Sequence, residues 1–265
     1  MTIDFELSTL KKGMDMDIAL IGYGSMGREV ESAARQRGHH IAAIFTSHSP
    51  LPEPNSGFFQ TNSIDCCIDV STASAVRSNT RICSNAGIPI VVGTTGWQNE
   101  RQEILDLIRN NNGTLIYGNN FSVGAQIFFS IIRTAAQLMN NFTDYDVALH
   151  EIHHVKKKDS PSGTALSLAQ ILVAQLDRKT SVKAPAAGEL MPHEIGVSST
   201  RVGNVSGTHS VLFRSPADEI ELVHRAHNRS GFAAGAVLAA EMTQRYTGVH
   251  VFDELIFQQS FIHHS

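Results

Sequence analysis

Residues 151–165, Glu-Ile-His-His-Val-Lys-Lys-Lys-Asp-Ser-Pro-Ser-Gly-Thr-Ala, set protonatable nitrogens beside a run suited to a turn entering a helix. Histidine exchanges protons near neutral pH, and lysine adds a cation and a transferable proton, so the stretch suits acid-base work on an anionic substrate. Ser160 can cap and Pro161 can begin a helix through Thr164, Ala165 and Leu166. The N–H groups near Ser162, Gly163 and Thr164 would then face an anion, with Gly163 keeping the approach uncrowded. Two other readings compete. Lysine runs usually lie in water, which makes a solvated loop plausible. His150, His153 and His154 suggest a metal, but on an extended strand His153 points opposite to the other two. No Cys, Asp or Glu in clear ligand spacing completes a set, so no metal is expected.

A second cluster is Gly22-Tyr23-Gly24-Ser25-Met26-Gly27, which satisfies Gly-x-Gly-x-x-Gly between an apolar run, 18–21, and a helical pattern, about 26–37. In a strand-turn-helix of this kind the first glycine allows the tight turn and the second lets backbone approach a pyrophosphate. The third lets helix and strand pack closely. The helix N-terminus supplies N–H donors and partial positive charge to the diphosphate. The acid expected about 20 residues further on, to hold the ribose hydroxyls, is missing. The second strand ends in Phe-Thr-Ser-His-Ser-Pro, 45–50, with no acid before Glu53. Thr46, Ser47 and His48 can donate hydrogen bonds there, so NADPH is allowed beside NADH, although the same residues also read as a polar loop tip. Gly93-Thr94-Thr95-Gly96 and Gly118-Asn119-Asn120-Phe121-Ser122 follow apolar runs. They either line the same ligand at the carboxyl ends of strands or are ordinary turns.

The elements that must position these groups follow from hydrophobic periodicity. Strand candidates at 40–45, 66–71 and 88–93 alternate with helical segments and another strand at 113–118, the pattern of a parallel sheet with right-handed crossovers. After Gly124 comes a long apolar helix, 125–142, and an alternating strand around 144–155. A helix at 162–176 and period-two segments near 207–215 and 218–228 follow, which predicts an antiparallel sheet in a second, α+β domain. The closing stretch 231–248 reads as a helix returning to the first domain. The domains are therefore placed at 1–122 with 231–265, of which 1–16 is an extension, and at 123–230.

Composition excludes several classes. With 265 residues and a net charge of -4, the chain has no basic footprint for nucleic acid. No run is long and apolar enough to span a bilayer, and the N-terminus lacks the apolar core of a signal peptide. Cys66, Cys67 and Cys83 form neither a disulfide framework nor a Cys-x-x-Cys spacing, so a cytoplasmic location is expected.

Residues 151–165 closely resemble the Glu-x-His-His-x-x-Lys-x-Asp-x-Pro-Ser-Gly-Thr-Ala pattern of the 4-hydroxy-tetrahydrodipicolinate (dihydrodipicolinate) reductases of bacterial lysine and diaminopimelate synthesis. The other motifs stand in the same order: Met26-Gly27-Arg28-Glu29, Val-Gly-Thr-Thr-Gly-Trp (92–97), Asn-Phe-Ser-Val-Gly (120–124), Arg-Val-Gly-Asn-Val-Ser-Gly-Thr-His-Ser-Val-Leu-Phe (201–213) and Phe-Ala-Ala-Gly-Ala-Val (232–237). The resemblance runs from about Asp17 over nearly the whole chain.

It implies an α/β fold, with a Rossmann-like parallel-sheet dinucleotide-binding domain and an α+β substrate-binding and oligomerisation domain whose sheet is mixed or antiparallel. It further implies NADPH or NADH as cofactor, a small dicarboxylate substrate and a homotetramer. His153 is the implied acid-base group and Lys157 the proton donor, with His154, Ser162, Gly163 and Thr164 at the substrate carboxylates. Gly22 to Gly27 would bind the diphosphate, while Gly93 to Thr95 and Gly118 to Phe121 would border the nicotinamide and its ribose. Two departures stand out: the glycine turn is one residue shorter than the common Gly-x-x-Gly-x-Met-Gly form, and Phe45-Thr46 replaces Glu-Arg. A different dehydrogenase would share the glycine turn but not the His-His and Ser-Gly-Thr spacing. A cofactor-binding sensor would need no acid.

Overall fold

The computed structural model describes residues 15–258. Residues 1–14 of the expected extension lie outside them, while Met16 is buried and leads into the first strand. The chain divides into two compact units, 120–232 forming one and the described residues on either side of it forming the other.

In the outer unit, β1 (Asp17–Ile21), β2 (His40–Phe45), β3 (Cys66–Asp69), β4 (Ile90–Val92) and β5 (Thr114–Tyr117) alternate with α1 (Ser25–Gln36), the short α2 (Phe58–Thr61), α3 (Ala73–Asn85) and α4 (Arg101–Asn110). Short, continuously apolar strands are what a sheet covered on both faces requires, and β3, β4 and β5 are buried at every position. The sheet order β11-β5-β4-β3-β1-β2 includes a strand that periodicity does not reveal, β11 (Gly248–Val251), which adds parallel to β5. Its core gathers Ile21, Cys67, Val76, Ile90, Ile104, Ile108 and Leu115.

Unit 120–232 holds α5 (Val123–Met139), β6 (Asp146–His153), α6 (Gly163–Gln175), β7 (Ser181–Lys183), β8 (Glu194–Arg201), β9 (Gly207–Arg214) and β10 (Glu219–Ala226). Ser122 caps α5, its side chain accepting the Ala125 N–H at 3.3 Å. Then α7 (Ser230–Met242) leads back into the outer unit, which β11 and α8 (Phe252–Gln258) complete. The second sheet, ordered β10-β9-β6-β8-β7, is mixed rather than antiparallel. Strand β9 pairs antiparallel with β6 and β10, whereas β8 runs parallel to both β6 and β7. The cause is α6, a crossover between β6 and the strands after it, which returns the chain in the same direction. Among the described residues, no helix is long and apolar enough to cross a membrane.

One face of three adjacent strands positions the site. Along β6 the buried residues are Val147, Leu149, Glu151 and His153. Register places Val147 beside Phe213, and Leu149 between Val211 and Val197. Glu151 lies between His209 and Ser199, and His153 beside Arg201. The face is therefore apolar at one end, packed by Leu168, Leu172 and Phe213, and polar at the other. Phe213 is fully buried at the apolar end. Phe213→Ala should lower unfolding free energy by about 3–5 kcal/mol by leaving a cavity, measured by urea denaturation.

Candidate functional site

The glycine turn adopts the conformation its spacing requires. Gly22 has φ +96°, and a Cβ there would sit 2.7 Å from the Val70 carbonyl oxygen; one on Gly27 would sit 2.3 Å from the Gly22 carbonyl oxygen. Gly24 is different. It is the N-cap of α1 with an ordinary φ of -80°, and a Cβ there meets nothing within 4 Å. Two glycines thus lock strand to helix, while the middle one presents bare backbone at the helix N-terminus, a cradle that fits a diphosphate. Ser25 begins the helix and Met26 is half-buried; the Tyr23 hydroxyl donates to Glu31 and Arg28 lies 4.7 Å over its ring.

Other expected cofactor residues divide into outward and inward groups. Thr95 and Asn119 are exposed and Gly93 and Gly118 half-buried at strand ends. Thr94 is turned inward: its hydroxyl donates to Asp69 Oδ1 at 2.9 Å, and its carbonyl accepts from the Trp97 ring at 2.8 Å. Asp69 also accepts from Ser71 and Asn79 and so pins the loops after β3 and β4, a role sequence reasoning missed. Asn120 and Phe121 are buried, and Asn120 reaches the Ser122 N–H at 2.8 Å and the Thr164 hydroxyl at 3.4 Å. It ties the start of α5 to that of α6. Thr46 closes a tight turn with Ser49, its hydroxyl accepting the N–H groups of His48 and Ser49.

In unit 120–232 the organising group is Glu151, with no solvent exposure. Oε1 accepts from the Ser199 hydroxyl at 2.7 Å and faces the Arg201 guanidinium at 3.4 Å. Both oxygens face the Ser162 N–H, at 3.2 and 3.1 Å. His153 Nδ1 and His209 Nε2 converge on Oε2 at 3.4 and 3.7 Å. The rings stand edge to face with centroids 5.1 Å apart, and both Nδ1 atoms are buried without an aligned hydrogen bond. Burial works against the charge on Glu151. Hydrogen bonding from His209, Ser162 and Ser199 together outweighs it and holds the carboxyl well below the usual carboxylate range. Burial likewise dominates at His153, lowering it to about 4 despite the opposing pull of Glu151.

Two sequence expectations change here. Helix α6 is capped by Ser162, not Ser160, and begins at Gly163: the Ser162 hydroxyl accepts the Ala165 N–H at 3.1 Å. Ser162 also approaches His209 Nε2 at 3.1 Å and is buried, so its side chain and N–H serve the interior. The open N–H groups at this end belong to Gly163 and Thr164, where a Cβ on Gly163 would meet nothing within 4 Å. Second, a carboxylate does complete a set at ligand spacing: Glu151, His153 and His209 offer atoms within 4.8 Å of one another. The pairing of β6 with β9, invisible in a linear reading, supplies His209. Arg201 already places a cation at this carboxylate, and Ser162 and Ser199 occupy its lone pairs, so the trio is better suited to holding protons than a second cation.

His154 is half-buried just past β6, and His150 lies on the opposite face, bonded to Thr200. Lys157 is half-buried with its ammonium 2.8 and 2.9 Å from the two Asp159 oxygens, while Lys156 and Lys158 are exposed. Arg201 reaches the Asp159 carbonyl at 2.7 Å, fastening the lysine loop to β8. Glu151, Ser199, Arg201 and His209 are site residues that sequence reasoning left without roles. For Arg201 and His209 the signal was the 201–213 motif, and for Glu151 the 151–165 motif.

Comparison with known proteins supplies the lineage. Residues 16–121 match the N-terminal part of dihydrodipicolinate reductase and residues 124–256 its C-terminal part. The chain belongs to the dihydrodipicolinate reductase family. It is 37% identical over 241 residues to the 4-hydroxy-tetrahydrodipicolinate reductase of Christiangramia forsetii, covering 91% of this chain and 98% of that one. With that of Methanosarcina barkeri it shares 37% identity over 243 residues, or 90% and 88% of the two chains. A dipicolinate-bound dihydrodipicolinate reductase from Paenisporosarcina sp. TG-14 shares the fold, with a TM-score of 0.72 at 22% identity over 91% of this chain and 100% of that one.

Two outcomes are expected. Gly24→Ala should keep the melting temperature but weaken binding of a nicotinamide dinucleotide at least tenfold, whereas Gly27→Ala should lower the melting temperature as well; calorimetry and fluorescence titration separate the two. His153, lowered from 6.5 to about 4, leaves the unfolded chain binding more protons between those values. Stability should therefore be fully present above pH 6.5 and fall as pH drops toward 4. A pH series of melting curves should show a shallower fall in His153→Gln.

Proposed function

We propose that this chain reduces 4-hydroxy-tetrahydrodipicolinate, by way of its dehydrated form, to tetrahydrodipicolinate with NADPH or NADH, in lysine and diaminopimelate synthesis. The observation that carries this reading is the register of β6, β8 and β9. It gathers an acid-base histidine, a buried carboxylate and Arg201 at one end of a sheet, beside the helix start at Gly163 and Thr164. Family membership and the relatives named as this reductase support it.

In this reading the N–H groups of Gly163 and Thr164, with His154, hold the substrate carboxylates through the helix N-terminus. Lys157 leaves its pairing with Asp159 to supply positive charge and a proton, and His153 exchanges protons at the same centre. A bound nicotinamide supplies hydride to ring C4, and the proton goes to the neighbouring ring carbon. Cations near the ring stabilise the electron density that arrives with the hydride.

The diphosphate belongs on Gly22 to Gly27, with Gly93, Thr95, Gly118 and Asn119 toward the nicotinamide ribose. The end of β2 carries no acid to repel a 2′-phosphate, which supports acceptance of NADPH beside NADH. A homotetramer in the cytoplasm completes the proposal; the exposed Ile127, Ile131 and Leu138 on α5 support assembly through unit 120–232.

When aspartate semialdehyde, pyruvate and the upstream synthase are supplied, the protein should consume NADPH. Lys157→Ala and His153→Ala should each lower turnover by about a hundredfold or more with NADPH affinity largely kept. Cofactor binding without consumption would favour a sensor, and near wild-type turnover in both variants would remove the assigned roles.

A further inference from the structure

Glu151 is buried where a carboxylate is costly, yet it is not confined to one ion pair. Its two oxygens have distinct surroundings. Oε1 receives Ser199 and faces Arg201, which compensates the charge, while Oε2 is the point on which the two imidazoles converge. A ring nitrogen 3.4 Å from an ionised carboxylate oxygen is favoured as N–H, because a lone pair there would meet the oxygen's own lone pairs and negative charge. For His153 that nitrogen is Nδ1. Its other nitrogen, Nε2, looks toward Gly207, where a Cβ would lie only 3.2 Å away. The missing side chain leaves room in front of Nε2.

We propose that Glu151 is a positioning residue that selects the Nδ1–H tautomer of His153 and thereby makes Nε2, in the space cleared by Gly207, the nitrogen that exchanges protons. His209 is the second imidazole on the same oxygen, held at Nε2 by Ser162, and it keeps the His153 ring edge-on. Glu151 acts through the histidine and needs no contact with substrate. The proton-exchange half of the proposal rests on the proposed acid-base role of His153, whereas the tautomer half is a property of the resting protein and is tested without it.

The test is two-bond proton–nitrogen NMR on uniformly nitrogen-15-labelled protein at neutral pH, with His153 assigned by its loss in His153→Gln. Wild type should show pyrrole-type Nδ1 and pyridine-type Nε2 at His153. Glu151→Gln, whose amide can donate as well as accept, should shift His153 toward the other tautomer. It should also lower kcat at least tenfold with little change in KM. Gly207→Ala should lower kcat while leaving the tautomer in place. A wild-type His153 protonated on Nε2 overturns the proposal even if Glu151→Gln does not fold. So does a folded Glu151→Gln with the tautomer unchanged. Full turnover in His153→Ala would instead remove the acid-base role while the tautomer result stood.

Discussion

A charged carboxylate enclosed in protein must be compensated by donors arranged around it, and Glu151 imposes that requirement on its whole neighbourhood. Ser162, Ser199, Arg201, His153 and His209 come from α6, β8, β6 and β9. One group therefore couples the register of three strands to the start of a helix. Because the Ser162 N–H points at Glu151, the next N–H groups, at Gly163 and Thr164, are left for something else. Arg201 carries the constraint outward by holding the Asp159 carbonyl, and Asp159 holds Lys157. The loop with the three lysines is ordered from its buried end.

Both units present the same elementary device, a helix that opens on a glycine with nothing in front of it, which in the proposed reading receives an anion. Gly24 opens α1 and Gly163 opens α6, and a Cβ on either would meet nothing nearby. Their surroundings differ. Beside the glycine turn of the outer unit the buried Asp69 is taken up by Ser71, Asn79 and Thr94, which suits a ligand that is held. The α6 start sits beside two histidines, Lys157 and Arg201, which suits a ligand that exchanges protons.

Much of this was legible in the sequence, for identifiable reasons. The parallel sheet showed itself because its strands are continuously apolar, and the glycine turn because each glycine answers a separate steric demand. His153 separated from His150 through the two-residue period of a strand, and Lys157 from its neighbours only through family resemblance. What stayed hidden were facts of pairing. The apolar-polar alternation of β6 shows that Glu151 and His153 share a face but not that His209 and Ser199 flank Glu151. Serine and glycine interrupt the alternation of β8, which periodicity left unassigned, and without β8 the second sheet looked antiparallel. The cap shifted from Ser160 to Ser162 because the hydroxyl that meets Ala165 is chosen by Glu151 drawing in the Ser162 N–H, which is a tertiary contact.

The most direct test of the claim that the helix start beside Glu151 receives the substrate dicarboxylate is a backbone amide NMR titration with pyridine-2,6-dicarboxylate. The amides of Gly163 and Thr164 should move with the ligand in a saturable way, while those of residues 22–27 stay in place. Movement confined to the glycine turn, or none at saturating ligand, would contradict the account.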